Sequence, residues 1–528
     1  MPADVLLRSG AVYTFDPAHP MASAIAINGS IIAAVGDNQL HALRGSHTRV
    51  IDLAGRAVVP GFVDAHVHFT SYALTRQQVD LESAATLDAG LAKLRAVAER
   101  LPRHAWIRGR GWDRNRWGRL PTMTDLDQAV GGRPAALSSH DGHSVWLSSA
   151  ALRQVGLTRD TQAPAGGHIE RDLNGDPTGV VFENAQDLVR PHLPQPTDAE
   201  VLQALRSALR HAAAAGITGL HNLEDARSLR AFQALEASGE LSLRVYHGVP
   251  RAQLRQAREL GARTGTGTDW LRIGPVKLFA DGALGSRTAY LLDPYEQDSD
   301  GYRGIPTLQS EELRDDLRTA AEAGLDISVH AIGDAAVRGV LDAVEDTRRA
   351  TPALRQRLVR IEHAQLVHPD DVPRFAALGV IASMQPSHAV SDWQAAERYW
   401  GARSRYGYAW RSLLDAGAQL AFGTDAPVES IEPLPSLYAA VTRLDRNGRP
   451  PGGWYPEQRL ELGEAVRAYT RGSAYAERAA HRRGSLVTGR DADLVVLSPN
   501  PFAHEPAALL NTRVDLTMVG GRVLYERA

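Results

Sequence analysis

The chain contains no cysteine among its 528 residues. Disulfides and thiolate metal ligands are therefore excluded, and any bound metal must rest on histidine, carboxylate or a modified lysine. An excess of one charge is missing as well: 58 basic residues face 61 acidic ones, for a net charge of -3. So small an imbalance leaves no electrostatic footprint for nucleic acid or a charged membrane. No apolar run reaches the length of a membrane span. The opening Met1-Pro2-Ala3-Asp4-Val5 lacks the charged start and apolar stretch of a secretory signal. The expectation is a cytoplasmic protein that acts on a small molecule, with no nucleic-acid or membrane partner and a homodimer as the default oligomer.

What is present is enough apolar material for a large core. Apolar residues make up 44% of the chain and charged residues 23%, which excludes wholesale disorder. The length suits a large barrel plus a smaller domain.

One stretch organises the rest, Val58-Val59-Pro60-Gly61-Phe62-Val63-Asp64-Ala65-His66-Val67-His68-Phe69. It reads as a buried strand, bent at Pro60-Gly61 and ending in two histidines. Side chains alternate along a strand, so His66 and His68 point the same way and can share one metal ion. An isolated pair of this kind also arises as ordinary core or surface histidines.

Short β-like segments precede this stretch, with Asn28-Gly29 as a hairpin turn. Segments of the same texture close the chain from 492 to 525. The simplest packing joins residues 1–57 and 484–528 in one small β-sandwich domain. From about 70 to 200 the pattern is irregular and carries Trp106, Trp112, Trp117 and Trp146. Its length exceeds a plain connection and predicts an insertion after the first strand. Its tryptophans either shape the pocket or pack a satellite core.

From about 199 helix-like and strand-like segments alternate. Strands are predicted at 217–222, 243–249, 273–279, 326–331, 358–363, 380–384 and 420–424. With the opening strand they make eight, the count and order of an α/β fold of (β/α)₈ TIM-barrel type over residues 58–483. In such a barrel the chemistry gathers at the C-terminal strand ends. There stand His66 and His68 on strand one, Lys277 on strand four, His330 on strand five, His363 on strand six and Asp425 after strand eight. Singly, each has a plain reading: a core histidine, an ion-paired lysine, a helix N-cap. Together they form a set in the right order on the right strand ends.

With these residues the chain resembles the amidohydrolase superfamily and, within it, the amidohydrolase-3 (YtcJ-like) family, which includes N-substituted formamide deformylase. The carriers are Pro60 to His68, Ser139-His140-Asp141-Gly142-His143-Ser144, Lys277 to Ala289, His330-Ala331-Ile332-Gly333-Asp334, Ile361-Glu362-His363-Ala364 and Gly423-Thr424-Asp425-Ala426-Pro427. The resemblance implies a metal-dependent hydrolase of carbon–nitrogen bonds with a small amide as substrate, such as an N-substituted formamide or a cyclic amide. It implies two divalent metals, zinc by ligand type. His66, His68 and Asp425 hold one and His330 and His363 the other, with Lys277 as an N6-carboxylated bridge. It also implies Asp425 as the proton carrier and places His140 and His143 in the pocket.

Asp281 and Arg287, in the glycine-rich loop after Lys277, are candidates to orient substrate or to pair with each other. Trp112 is a candidate substrate contact. His221 is expected beside the ligands, and Glu362 on the opposite face of its strand. The rivals are a mononuclear deaminase, a hydrolase with one metal and a bare Lys277, and a non-catalytic binding barrel. Against deamination, no glutamate follows His330 closely.

Overall fold

A computed structural model describes residues 2–139, 144–164, 167–296, 298 and 300–527. His140 and His143 lie outside the described residues. The chain divides into two compact units, Met1–Ser71 with Arg206–Ala528, and Tyr72–Leu205.

The first unit is built on eight parallel strands: Phe62–Val67, Ile217–Asn222, Arg244–Pro250, Leu271–Phe279, Ile327–Ala331, Val359–His363, Val380–Met384 and Leu420–Phe422. They are called strands one to eight below. Each pairs with the next in sequence. The first and last are joined just beyond their ends, where the Asp425 N–H donates to the His66 carbonyl at 2.7 Å and the His68 N–H to the Ala426 carbonyl at 2.9 Å. The result is a nearly closed barrel. Its strands are apolar and largely buried, as strands covered on both faces must be. Helices return the chain between them and start and stop at recognisable signals. Ala226–Ala237 begins at Asp225, whose side chain accepts from the Arg227 and Ser228 N–H groups. Ser310–Ala323 ends at Gly324 in the left-handed conformation, φ 79°.

The opening strand differs from its expected form. It is two strands, not one bent strand. Ala57–Pro60 lies in a six-stranded sheet, parallel to Ala11–Tyr13 and antiparallel to Leu494–Ser498. Phe62–Val67 belongs to the barrel. Gly61 is the crossing point, and a Cβ there would lie 2.3 Å from the Thr218 side chain. A four-stranded sheet of Ile31–Gly36, Ala24–Asn28, Val5–Arg8 and Arg49–Asp52 shares an apolar core with the six-stranded one. Leu7, Ile25 and Ile27 meet Val12, Val58, Val496 and Met518 there.

At the N-terminal end of the barrel, buried charges are matched. Arg244 pairs with Asp493 at 2.7 Å, and Arg483 with Asp491 at 2.8 Å and Glu477 at 3.3 Å. Arg272 also pairs with Glu477.

The second unit is more regular than its sequence suggests. A six-stranded mixed sheet runs in the order Gly167–Arg171, Pro177–Glu183, Ser144–Leu147, Ala135–Ser139, Ile107–Trp112, Val79–Asp80. Helices Leu87–Ala98 and Met123–Val130 contribute to its core. Trp112 and Trp146 sit fully buried in that core. The Trp112 indole N–H donates to the Leu137 carbonyl at 2.8 Å, and its ring packs against Trp117 and Trp146. Both its apolar faces and its one polar atom are thus engaged. Trp112 is a core residue and not the substrate contact expected of it.

Candidate metal centre

The C-terminal ends of the strands bring six candidate side chains together. His66 ends strand one and is fully buried. Its Nδ1–H donates to Glu362 Oε2 at 2.6 Å, which turns Nε2 inward. That Nε2 is buried and has no hydrogen-bond partner among the described residues. His363 works in the same way. Its Nδ1–H donates to Gln385 Oε1 at 2.8 Å, leaving Nε2 free for the site. His330 uses the other nitrogen: Nε2–H donates to the Gly282 carbonyl at 2.8 Å, so Nδ1 carries the lone pair. The His363 ring lies 4.8 Å from that of His66 and 4.6 Å from that of His330.

Asp425 is held by the closure of the barrel. Asp64 on strand one accepts from the Thr424 N–H at 2.9 Å and from the Thr424 hydroxyl at 2.5 Å. Strand eight must pass close to strand one for this: a Cβ on Gly423 would fall 2.5 Å from the His66 backbone nitrogen and 2.7 Å from Asp64 Oδ1. Asp425 then adopts φ 60°, and His363 φ 73°. Two non-glycine residues in the left-handed region carry strain that the surrounding structure holds in place. Asp425 Oδ1 lies 3.5 Å from His66 Nε2 and 3.3 Å from His68 Nε2.

The electrostatics favour lone pairs over protons on the imidazoles. Burial, reinforced by Lys277, lowers His66 to about 4 and His330 to about 3. Burial also pushes His363 well below its usual range. All three are neutral at pH 7, the form that binds metal. Burial would raise Glu362, but Arg360 and His66 override it and hold the carboxylate ionised. Burial lowers Lys277 to about 8, against the pull of Glu362 and Asp425.

A divalent cation fits these residues. His66, His363 and Asp425 each offer one atom, and the three atoms lie within 4.8 Å of one another. Ligands about 2.0–2.2 Å from a tetrahedral zinc stand roughly 3.3–3.6 Å apart, the spacing of Asp425 Oδ1 from the two histidine nitrogens of strand one. Three buried polar atoms, His66 Nε2, Lys277 Nζ and Asp425 Oδ1, have no hydrogen-bond partner among the described residues. Such atoms are costly unless something satisfies them.

Two expected site residues serve the loop instead. Asp281 is buried and accepts from the N–H groups of Tyr290, Ile332 and Gly333 at 2.8–3.0 Å. Burial raises it to about 7, although those three bonds oppose the shift. It clamps the loop after strand four to the loop after strand five, with its Oδ1 3.6 Å from His330 Nε2. Arg287 pairs with Asp298, not with Asp281, and its guanidinium lies 5.4–5.9 Å from the rings of Tyr295, Tyr302 and Tyr399.

Other contributors escaped the sequence reading. Glu362 points into the barrel, on the same face as Arg360 two residues earlier, and His363 shares the site with it because His363 and Ala364 both take positive φ and break the alternation of the strand. Its Oε1 accepts from the Ser328 hydroxyl at 2.6 Å while its Oε2 steers His66. His388, four residues beyond strand seven and in the first turn of helix Pro386–Trp400, places Nε2 3.3 Å from Asp425 Oδ2 and Nδ1 3.6 Å from Glu429 Oε1. Burial works against its charge, but the two carboxylates outweigh it and push His388 up to about 10. His221, by contrast, was expected beside the ligands, and it accepts from Arg360 Nη1 at 2.7 Å.

The Amidohydro_3 model, described as the amidohydrolase family, matches residues 49–525. The chain is 32% identical over 536 residues to YtcJ of Bacillus subtilis (strain 168), covering 99% of each. It is 29% identical over 547 residues to the N-substituted formamide deformylase of Arthrobacter pascens, covering 99% of this chain and 98% of that one. A crystal structure of a metal-dependent hydrolase from Pyrococcus furiosus superposes with a TM-score of 0.78 at 29% identity, covering 94% of this chain and 99% of the other.

Proposed function

Because the chain belongs to the amidohydrolase family, we propose that it is a metal-dependent hydrolase that cleaves an amide-type carbon–nitrogen bond. The observation that carries this reading is the convergence of His66, His363 and Asp425, with His68 and His330 beside them and Lys277 buried in their midst. In this reading His66, His68 and Asp425 hold one divalent cation, zinc by ligand type. His330 and His363 hold a second. Lys277 would be N6-carboxylated and would help to hold them: its neutral amine would add to carbon dioxide, forming a new N–C bond with the loss of one proton. Burial supports this step, because only the unprotonated amine is nucleophilic.

When bound, the metals lower the pKa of water to about 7 and polarise the substrate carbonyl. The protein's own residues do the rest. Glu362 and Gln385 fix the tautomers of His66 and His363, which sets the direction of each lone pair. Asp425 takes the proton of the attacking water and delivers it to the leaving nitrogen. His388 holds Oδ2 of that carboxylate, so Oδ1 is the oxygen directed at the reacting atoms.

The named activity of the Arthrobacter relative supports N-substituted formamides as the first substrates to try, with other small or cyclic amides next. A second reading is favoured by the tight grouping of His66, His363 and Asp425 drawn from both halves of the ligand set. It is a single cation at that group with Lys277 unmodified. We also read residues 1–57 and 484–528 as one composite β-sandwich and 58–483 as the barrel with its insertion.

The deciding experiment is metal content per chain together with carbon NMR of protein equilibrated with labelled bicarbonate. Only Lys93 and Lys277 can give a lysine carbamate signal, so a Lys277→Gln control assigns it. Two metals and that signal support the binuclear hydrolase. One metal without the signal selects the second reading, and metal-free protein without hydrolytic activity refutes both.

A further inference from the structure

We infer that the ring of Phe279 is the platform on which the apolar part of the substrate lies, so that the enzyme takes neutral amides carrying an alkyl or aryl group. The inference rests on the metal-dependent reading above and adds a specificity residue to it.

Phe279 is the last residue of strand four. It stands two positions after Lys277 and so shares its face of the strand, one layer nearer the barrel mouth. Its ring centroid lies 4.9 Å from Lys277 Nζ and 5.3 Å from the His330 ring. It therefore adjoins two of the proposed metal-binding side chains. Yet it is 49% exposed, whereas Val276 and Leu278 on the same strand are fully buried.

Fraying of the strand end does not account for that exposure. The Ala280 N–H donates to the His330 carbonyl at 2.8 Å, and the Thr307 hydroxyl donates to the Phe279 carbonyl at 2.8 Å. The backbone is fastened on both sides, and the ring is presented from a fixed position. A single exposed apolar side chain needs no explanation on an open surface. Beside a cluster of buried imidazoles it is the apolar wall that small-molecule sites use.

A second exposed apolar residue follows Asp425 by three positions. Val428 is 67% exposed, and its N–H donates to the Asp425 carbonyl at 2.9 Å. Two charged groups of the loop after strand four are meanwhile occupied: Arg287 by Asp298, and Asp281 by three backbone N–H groups. The strand end thus offers a substituent an aromatic face, which favours apolar groups.

The test separates the ring from the metal chemistry. Aceto-, butano- and hexanohydroxamate carry one chelating head and alkyl tails of increasing length. Their binding to zinc-loaded protein is measured by calorimetry, with no turnover required. For the wild type, affinity should rise about two- to fourfold per added methylene, as partial to full burial of each group predicts. In Phe279→Ala the dependence on length should flatten, with acetohydroxamate weakened by no more than about threefold. Phe279→Leu should give an intermediate slope.

An unchanged slope in Phe279→Ala overturns the inference and leaves the hydrolase reading standing. So does an equal loss for all three probes at full metal content. Failure of acetohydroxamate to bind the wild type would overturn the metal-dependent reading, and the inference with it.

Discussion

The two ends of the barrel both bury charged side chains, and they do so in opposite ways. At the N-terminal end every cation named has its anion: Arg244 with Asp493, Arg483 with Asp491 and Glu477, Arg272 with Glu477. At the C-terminal end His66 Nε2, Lys277 Nζ and Asp425 Oδ1 are buried with no hydrogen-bond partner among the described residues. The matched end is complete as it stands. The unmatched end makes physical sense once a cation and a substrate are added. Burial alone therefore does not mark a functional site; several titratable groups buried without partners in one place are the stronger sign.

The comparison breaks first, if it breaks, at Asp425. Asp425→Asn should keep its metal yet lose at least about a thousandfold in kcat, since a general acid–base group and its charge go together. Metal analysis alongside steady-state kinetics checks this, and full activity in that variant would refute the role. Next in size, Lys277→Met should lower metal content toward one per chain and cut kcat/KM by about a hundredfold or more if the carbamate bridges two metals. An unchanged metal ratio would sink the bridge.

The matched end should respond in stability alone. Asp493→Ala leaves the buried Arg244 guanidinium facing only Asp491, and losing one partner of a buried pair costs about 3–5 kcal/mol. A lower thermal midpoint at unchanged metal content is the expected result. Acid should act at the same place. Burial would raise Asp491, but Arg483, Arg244 and Arg482 override it and hold its carboxyl below the usual range. Its contribution is complete above the ordinary carboxylate pKa of about 4 and is lost as pH falls through the depressed value. Asp491→Asn should therefore flatten the acid side of the stability profile, measured as thermal midpoint against pH.

The smallest effect sharpens the contrast. Glu362→Gln keeps the shape but not the charge behind His66. Metal affinity, read by chelator competition, should fall about 10–100-fold.

The six strand-end residues were legible because each ends an apolar run, and a barrel turns that position into one rim. Lys277 stood out further than was used: only two of the 58 basic residues are lysines. Arginine cannot take its place, because a guanidinium stays protonated and cannot become a carbamate.

Other residues were not legible, for local reasons. Glu362 was assigned to the wrong face because strand alternation fails where His363 and Ala364 take positive φ. His388 lies past a strand whose end had been given no polar residue, and that gap was itself a cue to read on into Gln385-Pro386-Ser387-His388. Asp281 and Arg287 look alike in sequence as rim charges, and only their hydrogen bonds show that they hold the loop. The insertion concealed its order because its strands are two to seven residues long, too short for a period to show.

The crossing at Gly61 has a consequence for how the protein comes off the ribosome. Ala57–Pro60 pairs with Ala11–Tyr13 on one side and with Leu494–Ser498 on the other, so the segment leading directly into the first candidate ligand, His66, waits for its second partner, made more than 400 residues later. At about 5–20 residues per second, that wait is roughly 20–90 s. Through that interval His66 and His68 are synthesised but the strand behind them is paired on one side only, and the candidate metal site is a late product of synthesis although its first residues are among the earliest made.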